Sequence, residues 1–267
     1  MNFIYAQADA RIEQLRGVFT PDLYEKLEAM VAQFFDKLVL AALGAIIVGA
    51  MIAGLMSDNE YRDISYYVEN AILPGVGGVL ILGYLGHRFS SACNAVLKAQ
   101  NSTISTPALF DVWAVMGGVG VVVCALGVPF MLVSEGVEEA MASLVALVLS
   151  FCMLTYSLSP SMISVTVDPR ASAGRDVLSL LGAGLKMMLR AVPLTSAALV
   201  VAGAGTVLGT SLSEYPSADS GMAMVVAGAG LPFVTYFYFI SCYLLIDLME
   251  NFLSIKELAA RGTAGRE

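Results

Sequence analysis

Charge and histidine are what this chain has least of. Charged residues make up 13% of its 267 residues and hydrophobic residues 58%, where a soluble domain carries about 25% and about 45–50%. A single His (His87) and a single Trp (Trp113) speak against haem bundles, histidine-rich metal sites and aromatic-dense sugar sites. The four cysteines, Cys93, Cys124, Cys152 and Cys242, are too far apart for a CxxC redox pair or a zinc site and read as small packing residues. The sequence has no HExxH, no Walker motif and no GxGxxG after a strand, so no cofactor is expected. It has no basic stripe, and with a net charge of −8 no nucleic-acid partner is expected either. The N-terminus lacks the basic and apolar stretches of a signal peptide, because Asp9, Arg11, Glu13 and Arg16 stand where that core would be.

What is abundant is long, uncharged, apolar sequence. Six stretches free of Asp, Glu, Lys, Arg and His run over Leu38–Ser57, Asn70–Gly86, Val112–Ser134, Ala140–Val167, Ala191–Ser213 and Ser220–Ile246. About 20 such residues cross a bilayer as a helix, and none of the six alternates polar with apolar as barrel strands do. The expected fold is therefore all-α: a polytopic integral membrane protein of six transmembrane helices. Residues 1–37 form a cytoplasmic or interfacial amphipathic segment, 38–247 the six-span domain, and 248–267 a cytoplasmic tail.

Thirteen of the fourteen Lys and Arg fall in 1–37, 87–111, 168–190 and the tail, and only Arg62 lies in the opposite, acidic set of loops. Basic residues are retained in the cytoplasm, so both termini are expected on the cytoplasmic face of a bacterial-type inner membrane. Thr20-Pro21-Asp22 is a helix start, and Leu27, Phe34 and Phe35 continue an apolar stripe into the first span. These three are the expected docking residues, for the lipid bilayer or for a partner. Residues 175–190 read as an interfacial elbow helix before span five, with Pro193 in the first turn of that span.

Ionisable groups within spans are the usual mark of transport or catalysis in a membrane, and here they are essentially missing. The small-residue pairs Ala50/Gly54 and Gly205/Gly209, with the cluster Gly117-Gly118-Val119-Gly120, give faces for close helix packing. Together these features point to a non-enzymatic structural or assembly subunit of a membrane complex, working with other membrane subunits or as a homo-oligomer. The alternative is a permease or channel for a neutral or apolar solute. On that reading Pro74 with Gly78, and Pro193 with Gly205, mark the pathway, because Gly/Pro-interrupted spans at matching places in inverted halves point to a central site.

Overall fold

The computed structural model describes positions 10, 13, 14 and 17 and residues 20–56, 68–99, 102–104, 108–167, 173–212 and 219–264. Six long helices dominate them. Helix α1 spans Pro21–Met56, α2 Leu73–Ala99, α3 Ala108–Ser134, α4 Val137–Leu158, α5 Ala173–Ser211 and α6 Asp219–Ala264. Five of the six, all but α2, are long and apolar enough to cross a membrane. Helix α2 has the length, at 27 residues, but His87 and Arg88 interrupt its apolar run. The expected second span, Asn70–Gly86, occupies its first half and the π-helical turn Val68–Ile72 before it.

Helix α1 begins where the sequence places a start. The Leu23 N–H reaches the Thr20 carbonyl at 3.1 Å, Pro21 takes the first helical position, and Asp22 sits in the first turn, where the helix dipole favours an anion. The helix then runs unbroken for 36 residues, about 54 Å at 1.5 Å per residue. The amphipathic segment after Thr20 and the first span are thus one rod, and most of residues 1–19 lies outside the described residues. Asp36, just before the expected first span, is inside this rod.

Two further expectations are corrected. The fourth span was expected to reach Val167, yet α4 ends at Leu158, because Pro160 keeps the preceding Ser159 out of the helical region (φ −133°, ψ 72°). A 3-10 turn over Pro160–Ile163, a left-handed Ser164 (φ 54°) and a short strand β2, Val165–Val167, follow instead. Strand β2 pairs in parallel with β1, Ser102–Ile104, in the register Ser102↔Val165, Thr103↔Thr166 and Ile104↔Val167. The 175–190 elbow, in turn, is not a separate helix. It is the first half of α5, which passes through Pro193 as one 39-residue helix. At the other end of the chain, α6 carries helix through Ala264, into the stretch expected as a tail.

Helix α5 is the hub, packed against α1, α4 and α6, and α2 lies against α6. Of the most apolar window of α5, 67% is buried, against 6% for α3, which packs chiefly on α4. The small-residue faces are used within the chain. Gly203 and Gly221 bring the α5 and α6 backbones together, and Gly117 lies against the Leu154 backbone of α4. A Cβ at any of the three would collide with main chain. The α3–α4 turn is equally tight. The amides of Glu135 and Gly136 both donate to the Met131 carbonyl, at 2.9 and 2.8 Å, and Gly136 has φ +118°, a conformation that favours glycine.

Candidate functional site: a cavity at two helix prolines

Glu28, Val31, Ala32, Phe35 and Asp36 of α1 recur at helical spacing and share one face, and that face looks into a cavity of about 390 Å³. Its other walls are the stretch from Gly86 to Ser90 of α2, Pro193 and Ser196 of α5, and Pro232 of α6. Both prolines lie inside their helices. Each lacks the N–H that would bond to the carbonyl four residues earlier and so weakens its helix there.

Each helix is held near its proline by a side chain from another helix. The Tyr24 hydroxyl donates to the Arg190 carbonyl at 3.0 Å, three residues before Pro193. Tyr156 of α4 donates in turn to the Tyr24 hydroxyl, with the two rings edge-on at 5.1 Å. The Arg190 guanidinium pairs with Glu28 at 2.6 Å and lies 5.8 Å above the Tyr24 ring. At the second proline, the Cys93 thiol donates to the Pro232 carbonyl at 3.7 Å. The aromatic run of α6 closes over α2, with Phe89 packed 5.0 Å from Tyr236, 5.3 Å from Phe233 and 5.5 Å from Phe237. Beyond the expected second span, burial pushes the Cys93 thiol up to about 11.

The cavity carries both signs of charge. Asp36, His87 and Arg88 line it, with His87 Nδ1 and Asp36 Oδ1 3.9 Å apart on the exposed rim, while Glu28, also in its wall, pairs with Arg190 outside the lining. Hydroxyls behave in two ways along these helices. Thr155, Ser157 and Ser241 bond back to the carbonyls of Phe151, Met153 and Phe237, four residues earlier, at 2.7–2.8 Å, as expected for hydroxyls within spans. Thr195 and Ser196 do not, and neither hydroxyl has a hydrogen-bond partner among the described residues. Of the two, Ser196, 1% exposed, lines the cavity. A buried hydroxyl without a partner costs about 1–3 kcal/mol, which a bound polar group would offset.

A second polar node lies on the same helix. Lys186, fully buried, donates from Nζ to Ser102 Oγ at 2.9 Å and to the Ser164 carbonyl at 3.3 Å. That carbonyl also accepts the Ser102 N–H at 3.1 Å. The ammonium thus clamps the β1–β2 ribbon to α5. Lys186 and Arg190, in the stretch expected to lie in the interface, both turn inward.

Of the expected site residues, the cavity gathers two, Phe35 and Pro193. Phe35 is half-buried against the core around Ala42 and Ile46, Leu27 is half-buried, and Phe34 is exposed beneath the Lys37 ammonium, 5.1 Å from its ring centre. Pro74 is exposed near the start of α2. Gly78 faces Val226 of α6, and Gly205 faces Met141 of α4. Glu28, Arg190 and Ser196 were not singled out from sequence. The signal present was the spacing of Glu28, Val31, Ala32 and Phe35, and a serine three residues after a proline. Comparison with protein-family models, curated proteins and solved structures finds no match to this chain.

Proposed function

We propose that this chain is a non-enzymatic protein of a bacterial-type inner membrane, crossing it six times with both termini in the cytoplasm, and that it works as a permease by binding a small solute in the cavity at the two prolines. The observation that carries this reading is Ser196. Its hydroxyl is buried with no partner among the described residues, and the residue lines a cavity of about 390 Å³, a volume within the usual range of small-molecule sites. The two prolines in its wall support it, since each leaves the carbonyl four residues earlier in its helix without the usual amide partner. On this topology the cavity lies at the cytoplasmic ends of spans one, two and five and reaches the middle of span six at Pro232, with α2 as the sixth crossing and its residues beyond Gly86 in the interface.

Native mass spectrometry of the purified chain tests the reading. One small-molecule adduct per chain is expected in the wild type and none in Ser196→Phe, whose ring would fill the cavity. A bare wild-type mass, or an adduct that survives in Ser196→Phe, would contradict it.

A second reading, a structural or assembly subunit of a membrane complex, draws on α3. Val115, Met116, Val119, Val122 and Val123 are more than half exposed along it, enough for either lipid or a partner helix. It stands second because the small-residue faces are already occupied within the chain. A partner that co-purifies through α3, and is lost when Val119 and Val123 become Trp, would move it ahead.

A further inference from the structure

The polar cavity does not end at Asp36 and His87. Phe35, Asp36 and His87 also line a second space of about 350 Å³ between α1 and α2. Its remaining walls are apolar, formed chiefly by Val39, Leu40 and Leu43 of α1 and Val79, Leu80 and Tyr84 of α2. From Asp36 to Leu43 the groove follows α1 for about 10 Å, much of the roughly 15 Å that one leaflet contributes to the hydrocarbon core. Leu40, Leu80 and Tyr84 are each more than half exposed, so the groove opens sideways, toward lipid on the proposed topology.

A water-soluble solute would use only the polar end. A ligand matched to both spaces has a charged head and an apolar chain, and its head meets charges of both signs. We propose that the occupant is a phospholipid of the cytoplasmic leaflet with an ammonium-bearing, zwitterionic headgroup. The inference rests on the solute-binding reading above. The phosphate lies toward His87, Arg88 and the Ser196 hydroxyl, the ammonium lies toward Asp36, and one acyl chain fills the groove between α1 and α2.

The test uses the full chain in nanodiscs doped with phosphatidylethanolamine carrying a diazirine on one acyl chain. Photocrosslinks should concentrate on the α1 and α2 peptides that line the groove. A Cβ at Gly83, which lines the groove, meets nothing within 4 Å, so Gly83→Phe should plug it without disturbing the packing and lower those crosslinks at least fivefold. A phosphatidylglycerol probe, which lacks the ammonium, should label the groove several-fold less. Asp36→Asn, at an exposed position, should erase that preference and serves as the control should Gly83→Phe fold poorly. Crosslinks spread evenly over the bundle, α3 included, and unchanged by Gly83→Phe would mean bulk lipid only and overturn the inference. Soluble glycerophosphoethanolamine that binds the wild type as well as the lipid does, through Ser196, would also overturn it while leaving the solute-binding reading intact. Binding of neither compound would remove both.

Discussion

The Tyr24 hydroxyl meets the Arg190 carbonyl at 3.0 Å across 166 positions of chain, so the start of the first helix braces the fifth near its proline. The same hydroxyl accepts from Tyr156, which ties α1, α4 and α5 together at one buried point. Tyr24→Phe removes the side-chain bond to the Arg190 carbonyl and the acceptor of the buried Tyr156 hydroxyl, and a buried polar group that loses its partner costs about 1–3 kcal/mol. Tyr156→Phe leaves the Tyr24–Arg190 bond in place and should cost less. The double variant should cost less than the sum of the two, as in any shared network. Thermal unfolding in detergent reads all three, and equal losses in the single variants would contradict the assigned direction of the bonds.

Ser102→Ala removes one of the acceptors of the buried Lys186 ammonium. A hydrogen bond to a charged group contributes about 1.5–3 kcal/mol, so the clamp on the two-stranded ribbon should loosen. Amide hydrogen exchange at 102–104 and 165–167 should quicken while the α5–α6 contact stays protected. Unchanged exchange in the ribbon would mean that the clamp is not what holds it.

How much of this is legible in sequence depends on how local the cause is. The start at Pro21 is legible because Thr20, Pro21 and Asp22 each act within one turn. The apolar helices are legible because the bilayer imposes their length and composition. The unbroken α5 is not. A proline reads as a boundary unless something braces the helix there, and here the brace, Tyr24, comes from another helix. The 175–190 stretch carried no warning. Its apolar residues form one arc, which the structure divides: Leu178 and Leu189 are buried, with Lys186 beyond them, while Val177, Leu181 and Met188 are exposed, so the buried side runs from the edge of the apolar arc to the basic residue. The cavity was half legible. Phe35 and Pro193 were marked for other reasons, while Glu28, Arg190 and Ser196 matter only through partners or walls far away in the chain.

Phe34 and Phe35 are neighbours in sequence with different surroundings. Phe35 packs on the core and Phe34 is 42% exposed. Phe35→Ser should lower the unfolding temperature, with a loss approaching the roughly 1.5–3 kcal/mol of a buried apolar side chain. Phe34→Ser should leave it nearly unchanged, and any loss of membrane or partner attachment should follow Phe34. Equal destabilisation by the two would contradict this division.

The topology is testable with engineered cysteines in a background lacking the four native ones. Cys93 itself is a poor reporter, being buried with its thiol pushed up to about 11, and maleimides react with the thiolate. Ala95→Cys, at an exposed position of α2, should react with an impermeant maleimide only after the cytoplasmic face is opened. Ser134→Cys, exposed at the α3–α4 turn, should react in intact spheroplasts. The reverse pattern would contradict the proposed topology, either because the whole chain is inverted or because α2 does not cross, and labelling of both from outside would show that α3, which lies between them, does not cross.

The most direct test of solute binding at the two prolines is a cryo-EM map of the full chain in nanodiscs, held by a rigid antibody fragment. The expected result is non-protein density against Ser196 and Pro193, below the rim formed by Asp36 and His87, with α5 continuous through Pro193. Side chains closing that space, with Ser196 Oγ bonded to protein, would contradict it.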